Sequence, residues 1–172
     1  MAVENKNSVL ITNANAGDKS TALIDRANLY AANGSIEVAA DGSATSTYRF
    51  ARIPSQASIN SILIYNDALT GGTSYNVGVY EAIEDGGPAT NAAGTTTGSA
   101  TLFASAVDMT TARTTPLDVR FEASDINTIG KPLAELLGFT SGAKAYYDIV
   151  ITAVTPATVA GTISLEVRYG GF

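Results

Sequence analysis

Residues 48–80 decide the fold of this chain: YRFARIPSQASINSILIYNDALTGGTSYNVGVY. Three strand-like runs lie there, separated by a proline-centred break at Ile53-Pro54-Ser55 and by a turn-rich break between Asn66 and Gly72. The last run alternates cleanly and places Tyr75, Val77 and Val79 on one face, which is typical of a β-strand with one buried side. The stretch therefore predicts β-structure, and it contains no constellation of catalytic groups.

The residues before this stretch also carry strand and turn signals. Asn33-Gly34 is the dipeptide most typical of a tight hairpin, and it predicts a turn between Leu29-Tyr30 and Ser35–Val38. Asp41-Gly42 predicts a second turn. Within the deciding stretch, Ser58–Tyr65 ends in apolar residues on both faces, which predicts a central strand covered on both sides.

The C-terminal half continues the pattern. Thr101–Ala104 is short and apolar, and Pro116–Phe121 alternates, which predicts a short strand. Two clearer strands follow at Tyr147–Thr152 and Thr162–Tyr169. In the last of these the core-facing residues should be Ile163, Leu165, Val167 and Tyr169, with Ser164, Glu166 and Arg168 facing solvent.

One short helix interrupts the strands. Pro132 suits its first turn, Leu133–Leu137 its interior, and Gly138 the position just past its end. A helix this short is not stable alone, so it should close one end of a sheet. Residues 84–100, rich in Gly, Ala and Thr, predict a long loop.

About eight short strands, one helix and no alternation of strands with helices predict an all-β protein. The fold class is an antiparallel β-sandwich of jelly-roll type. We expect one domain over residues 29–172. Residues 1–28 lack clear periodicity and are predicted to be an N-terminal arm or leader: either a partly ordered leader or an arm that orders only against a partner.

The composition excludes several kinds of chemistry. The chain has no Cys and no His, so Ser-His-Asp and Cys-His hydrolysis are excluded and zinc chemistry is improbable. The net charge is −6, and no window clusters Lys and Arg, which argues against nucleic acid and anionic membranes as partners. No apolar run spans a bilayer and no signal peptide is recognisable, so we expect the chain to stay in the cytoplasm or in a particle assembled there.

Carboxylates are the remaining candidates for chemistry. Glu81, Glu84 and Asp85 cluster beside the long loop, but they lack the alternating ligand pattern of a calcium loop, which favours a solvated acidic segment. A glycosidase pair is not excluded by spacing, although the absence of Trp argues against sugar stacking. Gly71-Gly72 and Gly86-Gly87 lack a phosphate-binding frame. We therefore expect no catalytic, cofactor-binding or metal-binding residue and no cofactor.

Tyrosine and arginine are the side chains that could form contacts. Eight of the thirteen aromatic residues are tyrosines, five of them on predicted strands: Tyr48, Tyr65, Tyr75, Tyr80 and Tyr169. They either line the edge of the core with the hydroxyl reaching water or lie in a subunit interface. Arg49 and Arg52 have opposite parity and are expected on different faces of the sheet, so that one of them could turn inward.

Several of these strings, in this order, resemble a group of small virion proteins of tailed bacteriophages, the capsid cement or decoration proteins. The resemblance covers residues 48–169. It starts with Tyr48–Ser55, Ile59–Ile62, Asn66-Asp67-Ala68 and Tyr75–Tyr80, and it continues through Phe103–Met109, Lys131–Gly138 and Tyr147-Asp148-Ile149. The chain departs from the group at Asn76, where an Asp is expected, and in the length of the loop at 84–100.

The resemblance implies a non-enzymatic protein of the virion, located on the capsid surface, that binds the major capsid protein and stabilises the assembled head. It implies a symmetric homo-oligomer, with a trimer favoured and a dimer also open. Two alternatives stay open: another phage head or tail accessory protein, and a carbohydrate-binding β-sandwich.

Overall fold

Two four-stranded sheets make up the computed structural model, which describes residues 29–40, 42–82, 99–139 and 144–171. The eight strands run in chain order over β1 (Leu29–Val38), β2 (Thr47–Pro54), β3 (Ser58–Asn66), β4 (Ser74–Glu81), β5 (Ala104–Asp108), β6 (Arg113–Asp118), β7 (Tyr146–Thr155) and β8 (Gly161–Gly170). A short helix, α1 (Leu133–Leu136), and two 3-10 turns, Ser99–Thr101 and Ile126–Thr128, lie between them.

The strand order is that of a jelly roll. Sheet A has the order β1-β8-β3-β6 and sheet B the order β2-β7-β4-β5. The pairs β1·β8, β2·β7, β3·β6 and β4·β5 are those of one long hairpin, and rolling it up adds the pairs β3·β8 and β4·β7. Every pairing is antiparallel. The predicted antiparallel β-sandwich of jelly-roll type is confirmed.

The core lies between the two sheets and is formed by alternate residues of each strand. In β8 the residues Ile163, Leu165 and Val167 are buried, while Arg168 is exposed, as the alternation predicts. In β4 the predicted face of Tyr75, Val77 and Val79 is fully buried. Because burial of such side chains stabilises by roughly 1.5–3 kcal/mol each, these alternating strands carry much of the fold's stability.

Bulges within β3 and β2 change which residues of these strands face the core. The register of β3 against β8 shifts between Ile59 and Ser61, so Ile59 and Ile62 both face the core. The register of β2 against β7 shifts between Arg49 and Ala51 in the same way. An inserted residue of this kind reverses the face on which all following side chains lie.

The hairpin predicted at Asn33-Gly34 is wrong. Both residues lie inside β1, which pairs with β8 without a register shift from Leu29 to Val38. Gly34 is required for a different reason: a Cβ at this position would lie 2.5 Å from the carbonyl oxygen of Phe50 in β2. The glycine thus permits close approach of the two sheets rather than a turn.

Two further strand predictions need correction. β3 is central in sheet A, but Leu63 and Tyr65 remain half-buried because only one face of β3 meets the other sheet. The strand predicted at Pro116–Phe121 instead ends at Asp118. The Asp118 carboxylate accepts hydrogen bonds from the backbone N–H groups of Ile62 and Arg120, and these stop the regular pairing.

The predicted helix is confirmed, and it closes one end of the sandwich. Its first backbone N–H groups, of Leu133 and Ala134, donate to the carbonyls of Ala57 and Ser55 in the turn before β3. Gly138 has the left-handed φ of 78° that follows a helix end.

Some predictions fall outside the described residues. These are the N-terminal arm over residues 1–28, Asp41, and residues 84–98 of the predicted long loop. Within the described ranges, no helix is both long and apolar enough to span a membrane.

Candidate contact surface

A polar cluster lies on the outer face of sheet B. It consists of Arg49 and Arg52 from β2, Tyr80 from β4, and Asp148 and Thr152 from β7; we call it the arginine cluster. Asp148 is 3% exposed, although it lies on the face that points away from the core. One hydrogen bond of the cluster, between Arg49 and Asp148, joins residues that are 99 positions apart in the sequence.

Both arginines bind the same carboxylate. Arg49 Nη1 donates to Asp148 Oδ2 at 2.9 Å. Arg52 donates through Nε to Oδ1 at 2.8 Å and through Nη2 to Oδ2 at 3.1 Å, a two-point contact. Hydrogen bonding to Asp148 and its charge raise the pKa of Arg52 above its ordinary value. The expectation that Arg49 and Arg52 lie on different faces is wrong, because the bulge at Phe50 brings both to the outer face.

The other members hold Arg49 in place. Arg49 Nη1 also donates to the backbone carbonyl of Glu81 at 2.8 Å, and its guanidinium lies 5.6 Å from the centre of the Tyr80 ring. The Tyr80 hydroxyl and Thr152 Oγ1 are 2.7 Å apart and hydrogen-bonded. Arg49 is therefore fixed by charge, by a carbonyl and by an aromatic face.

A shallow depression of about 250 Å³ adjoins the arginine cluster. Its lining residues are Arg52, Glu81, Ala82, Lys144, Ala145 and Tyr146. The side chain of Arg52 is 56% exposed, and Tyr146 is 51% exposed. Among the described residues of this surface, the two arginines and Lys144 carry three positive charges against the two negative charges of Asp148 and Glu81, on a chain of net charge −6.

A second exposed surface lies at one end of sheet A. Leu29 and Tyr30 begin β1 and are 64% and 43% exposed. The Tyr30 ring stacks on Tyr169 of β8 at a centroid distance of 5.7 Å. Ile129, also exposed, lies next to Gly130, whose carbonyl accepts a hydrogen bond from Ser58 of β3 at the same end of the sheet.

The tyrosines singled out in the sequence have mixed environments. Tyr75 is fully buried and its hydroxyl has no hydrogen bond of normal geometry in the described part of the chain, so the expectation of a hydroxyl in water is wrong for this residue. Tyr80 is buried as well, whereas Tyr48, Tyr65 and Tyr169 are half-buried. The most exposed tyrosines are Tyr30 and Tyr146, which sequence reasoning missed. Both lie at the start of a strand, and this position could have predicted their exposure.

Asn76 has a structural role. Its Oδ1 accepts a hydrogen bond of 2.9 Å from the backbone N–H of Ala106, which has a left-handed φ of 53°. The resembled group has an aspartate at this position, and its carboxylate would offer the same acceptor oxygen to the Ala106 N–H. Asn76 therefore keeps this contact.

The carboxylates form no metal site among the described residues, where no group of three or more potential metal ligands occurs. Of the acidic cluster considered from the sequence, Glu81 lines the depression, and Glu84 and Asp85 lie outside the described residues. Asn66 and Asp67 bind within the chain: Asn66 Nδ2 donates to the carbonyls of Met109 and Thr111, and Asp67 Oδ2 accepts from the Thr162 N–H.

An eight-stranded jelly-roll sandwich with a polar cluster on one outer face is thus the class of protein that the described residues define. No family model matches the chain, and no curated protein matches it. Among solved structures, it is similar to a chain described as "Cyanophage Pam1 capsid asymmetric unit", with a TM-score of 0.52 and 16% sequence identity. The match covers 83% of this chain and 84% of that chain, and it shows a shared fold.

Proposed function

We propose that this chain is a bacteriophage capsid cement or decoration protein, which binds the assembled head shell and stabilises it without catalysing a reaction. The observation that carries the proposal is the shared jelly-roll fold with a chain from a cyanophage capsid asymmetric unit, over more than four-fifths of both chains. Fold alone does not define function, so the argument also needs the surface and the sequence.

The sequence resemblance supports the same function, and the fold brings its pieces together. The string Tyr48–Ser55 forms β2 and the turn after it, and Tyr147-Asp148-Ile149 lies on β7, the neighbouring strand. The two arginines of the first string bind the aspartate of the second. The string Lys131–Gly138 forms the helix that closes the sandwich. The resembled motifs therefore maintain the body of the protein.

Stabilisation of a shell requires a difference in affinity. A protein that bound the free capsid subunit and the assembled lattice equally would not shift the assembly equilibrium. A cement protein must therefore contact more than one capsid subunit, or a surface that exists only after assembly. A rigid sandwich suits this role, because little conformational entropy is lost when a preorganised body binds.

The surface that we assign to the shell is the arginine cluster with its depression. Arg52, Lys144 and Tyr146 offer two cations and an exposed aromatic ring on a chain that is acidic elsewhere. Arg and Tyr are enriched in protein interfaces. Arg52 already makes its two-point contact with Asp148, so the charge offered to a partner is mainly that of the Lys144 ammonium. The partner surface should therefore be acidic.

Binding to assembled shells tests the function. Purified protein would be mixed with heads assembled from the cognate major capsid protein, and in parallel with unassembled capsid subunits. We expect it to co-sediment with heads, to bind free subunits less tightly, and to raise the temperature at which heads rupture. Absence of binding to heads would refute the proposal. Binding to tails would indicate the accessory-protein alternative, and selective glycan binding without affinity for heads would indicate the carbohydrate-binding one.

Charge reversal tests the assigned surface separately. Lys144→Glu should weaken binding to heads, whereas Lys131→Glu, which changes another exposed lysine near α1, should leave it unchanged. Equal binding by both variants would show that a different surface faces the shell, while the function itself would stand.

A further inference from the structure

The outer edge of β1 is suited to pair with another strand. β1 is an edge strand of sheet A, and among the described residues β8 is the only strand that is hydrogen-bonded to it. It is ten residues long and pairs with β8 without any bulge. An edge strand of this kind presents a regular row of backbone donors and acceptors, which is a template for strand addition.

The other three edge strands are protected against pairing. β6 contains Pro116, which has no N–H to donate, in a strand of six residues. β5 has five residues and contains Ala106 in a left-handed conformation. β2 has the bulge at Phe50 and ends in Pro54. Proline, bulges and short length are the usual means by which proteins prevent edge-to-edge association.

β1 has none of these protective features. Its sequence, LYAANGSIEV, has no proline and no lysine or arginine, and its one charged residue is Glu37 near the end. Its first residues, Leu29 and Tyr30, are large, apolar and exposed. Such a strand left uncovered invites aggregation, so a specific partner for it is expected.

We propose that β1 pairs antiparallel with β1 of a second copy of this chain across a two-fold axis. The two A sheets then form one continuous eight-stranded sheet. Among the described strands, β1 is the one unprotected edge. No different edge of a second copy is therefore suited to pair with it, and pairing uses the same surface on both copies. Such an interface closes at the dimer, which differs from the trimer that the sequence resemblance favours. The pairing does not depend on the proposed function.

The register follows from the exposed residues. A pair centred on Asn33 places Tyr30 opposite Ile36 of the second copy and Leu29 opposite Glu37 of the second copy. An aromatic residue opposite a β-branched one is a favourable cross-strand pair, and the two Glu37 carboxylates stay far apart. A centre at Gly34 would instead place Tyr30 opposite Val38, which is already buried, and would leave Leu29 beyond the paired residues.

Single cysteines test the pairing cleanly, because the chain contains no cysteine. Residues opposite each other in antiparallel strands have Cα atoms about 4.5–5.5 Å apart, which suits a disulfide. Asn33→Cys should therefore form a covalent dimer on mild oxidation. Ala31→Cys and Ser35→Cys face each other in the pair, so neither should cross-link alone but a mixture of the two should. Thr114→Cys, exposed on the protected edge strand β6, is the matched control.

The wild-type chain gives a second readout. In sedimentation equilibrium its apparent mass should rise from that of a monomer to that of a dimer as concentration increases. Replacement of Ser35 or Asn33 by proline, in a variant that stays folded, should weaken the dimer. The proposal is overturned if the wild-type chain stays monomeric at its highest soluble concentration, or if Asn33→Cys cross-links no faster than Thr114→Cys. Neither result affects the test of shell binding by co-sedimentation, so the two proposals fail separately.

Discussion

Arg49 and Arg52, three positions apart in β2, lie on the same face of sheet B and bind one carboxylate, that of Asp148. In a regular strand an odd separation places two side chains on opposite faces. The bulge at Phe50 reverses this relationship. A backbone irregularity thus converts two separated cations into one polar cluster, and the same residues occur in two of the strings that resemble phage virion proteins.

Removal of the shared carboxylate should destabilise the protein. Asp148→Asn leaves Arg49 without its charged acceptor in a largely buried position, and breaking such an interaction costs about 2–3 kcal/mol. The midpoint of urea denaturation should fall accordingly. Glu166→Gln, which removes the carboxylate of the more exposed pair with Arg168, is the control and should have a much smaller effect. Equal losses in the two variants would contradict a structural role for the arginine cluster.

Enlargement of Gly34 should be costly. A Cβ at this position meets the Phe50 carbonyl oxygen at 2.5 Å, and a backbone neighbour has little room to move. Gly34→Ala should therefore lower the free energy of unfolding by about 1–3 kcal/mol, the usual cost of overpacking. Ser35→Ala, on the next and exposed position of β1, should be close to neutral. If both substitutions are tolerated, the sheets are not in close contact at this point.

Arg120 should be sensitive to truncation, because it is a fully buried cation. Its Nε donates to the carbonyl of Ile59 at 2.9 Å, and its guanidinium lies 5.1 Å from the centre of the Phe103 ring and 4.6 Å from that of Phe121. Burial lowers the pKa of Arg120, and the charge of Asp118 partly offsets this.

Arg120→Ala should therefore destabilise by about 3 kcal/mol or more, because it opens a cavity and leaves the Ile59 carbonyl unpaired. Arg120→Met keeps most of the volume and removes the charge, so its loss should be smaller. Thermal unfolding of the three proteins measures both effects. A methionine variant as unstable as the alanine variant would show that the charge and the hydrogen bonds of Arg120, rather than its packing, matter.

Alkaline pH should destabilise the protein through Tyr75. Burial raises the pKa of Tyr75 to about 12; the charge of Tyr48 adds to this, and an interaction with the Ala157 backbone opposes it. The folded chain then keeps a proton that the unfolded chain releases near the ordinary tyrosine pKa of about 10. Stability is therefore fully present below pH 10 and falls between pH 10 and about 12.

Tyr75→Phe removes this titration. It should leave stability near pH 7 almost unchanged, because the hydroxyl has no hydrogen bond of normal geometry among the described residues. The variant should lose less stability than the wild type between pH 10 and pH 12. Chemical denaturation across this range is the measurement, and parallel curves for the two proteins would contradict the assignment.

The sequence was sufficient to predict the core-facing residues where strands alternate without interruption. The buried residues of β4 and β8 were predicted correctly at Tyr75, Val77, Val79, Ile163, Leu165 and Val167, because no inserted residue lies within these strands there. Tyr169, predicted to face the core, is only half-buried. The short helix was also predicted, since Pro132 and Gly138 mark its ends through local backbone preferences. These features depend on neighbours in the chain.

Other features depend on contacts between distant residues and were not predictable. The bulges at Phe50 and Asn60 have no local signature, so the common face of Arg49 and Arg52 was missed. Gly34 looked like a turn residue, but the reason for it is a carbonyl on another strand. The arginine cluster itself combines residues 96 and 99 positions apart.

A cryo-EM map of the native phage particle tests the central claim most directly. We predict density for an eight-stranded jelly roll on the outer surface of the head, at local symmetry axes, with the arginine cluster facing the capsid protein. Density for this fold in the tail, or a head surface without it in particles that contain the chain, would contradict assignment as a capsid cement protein.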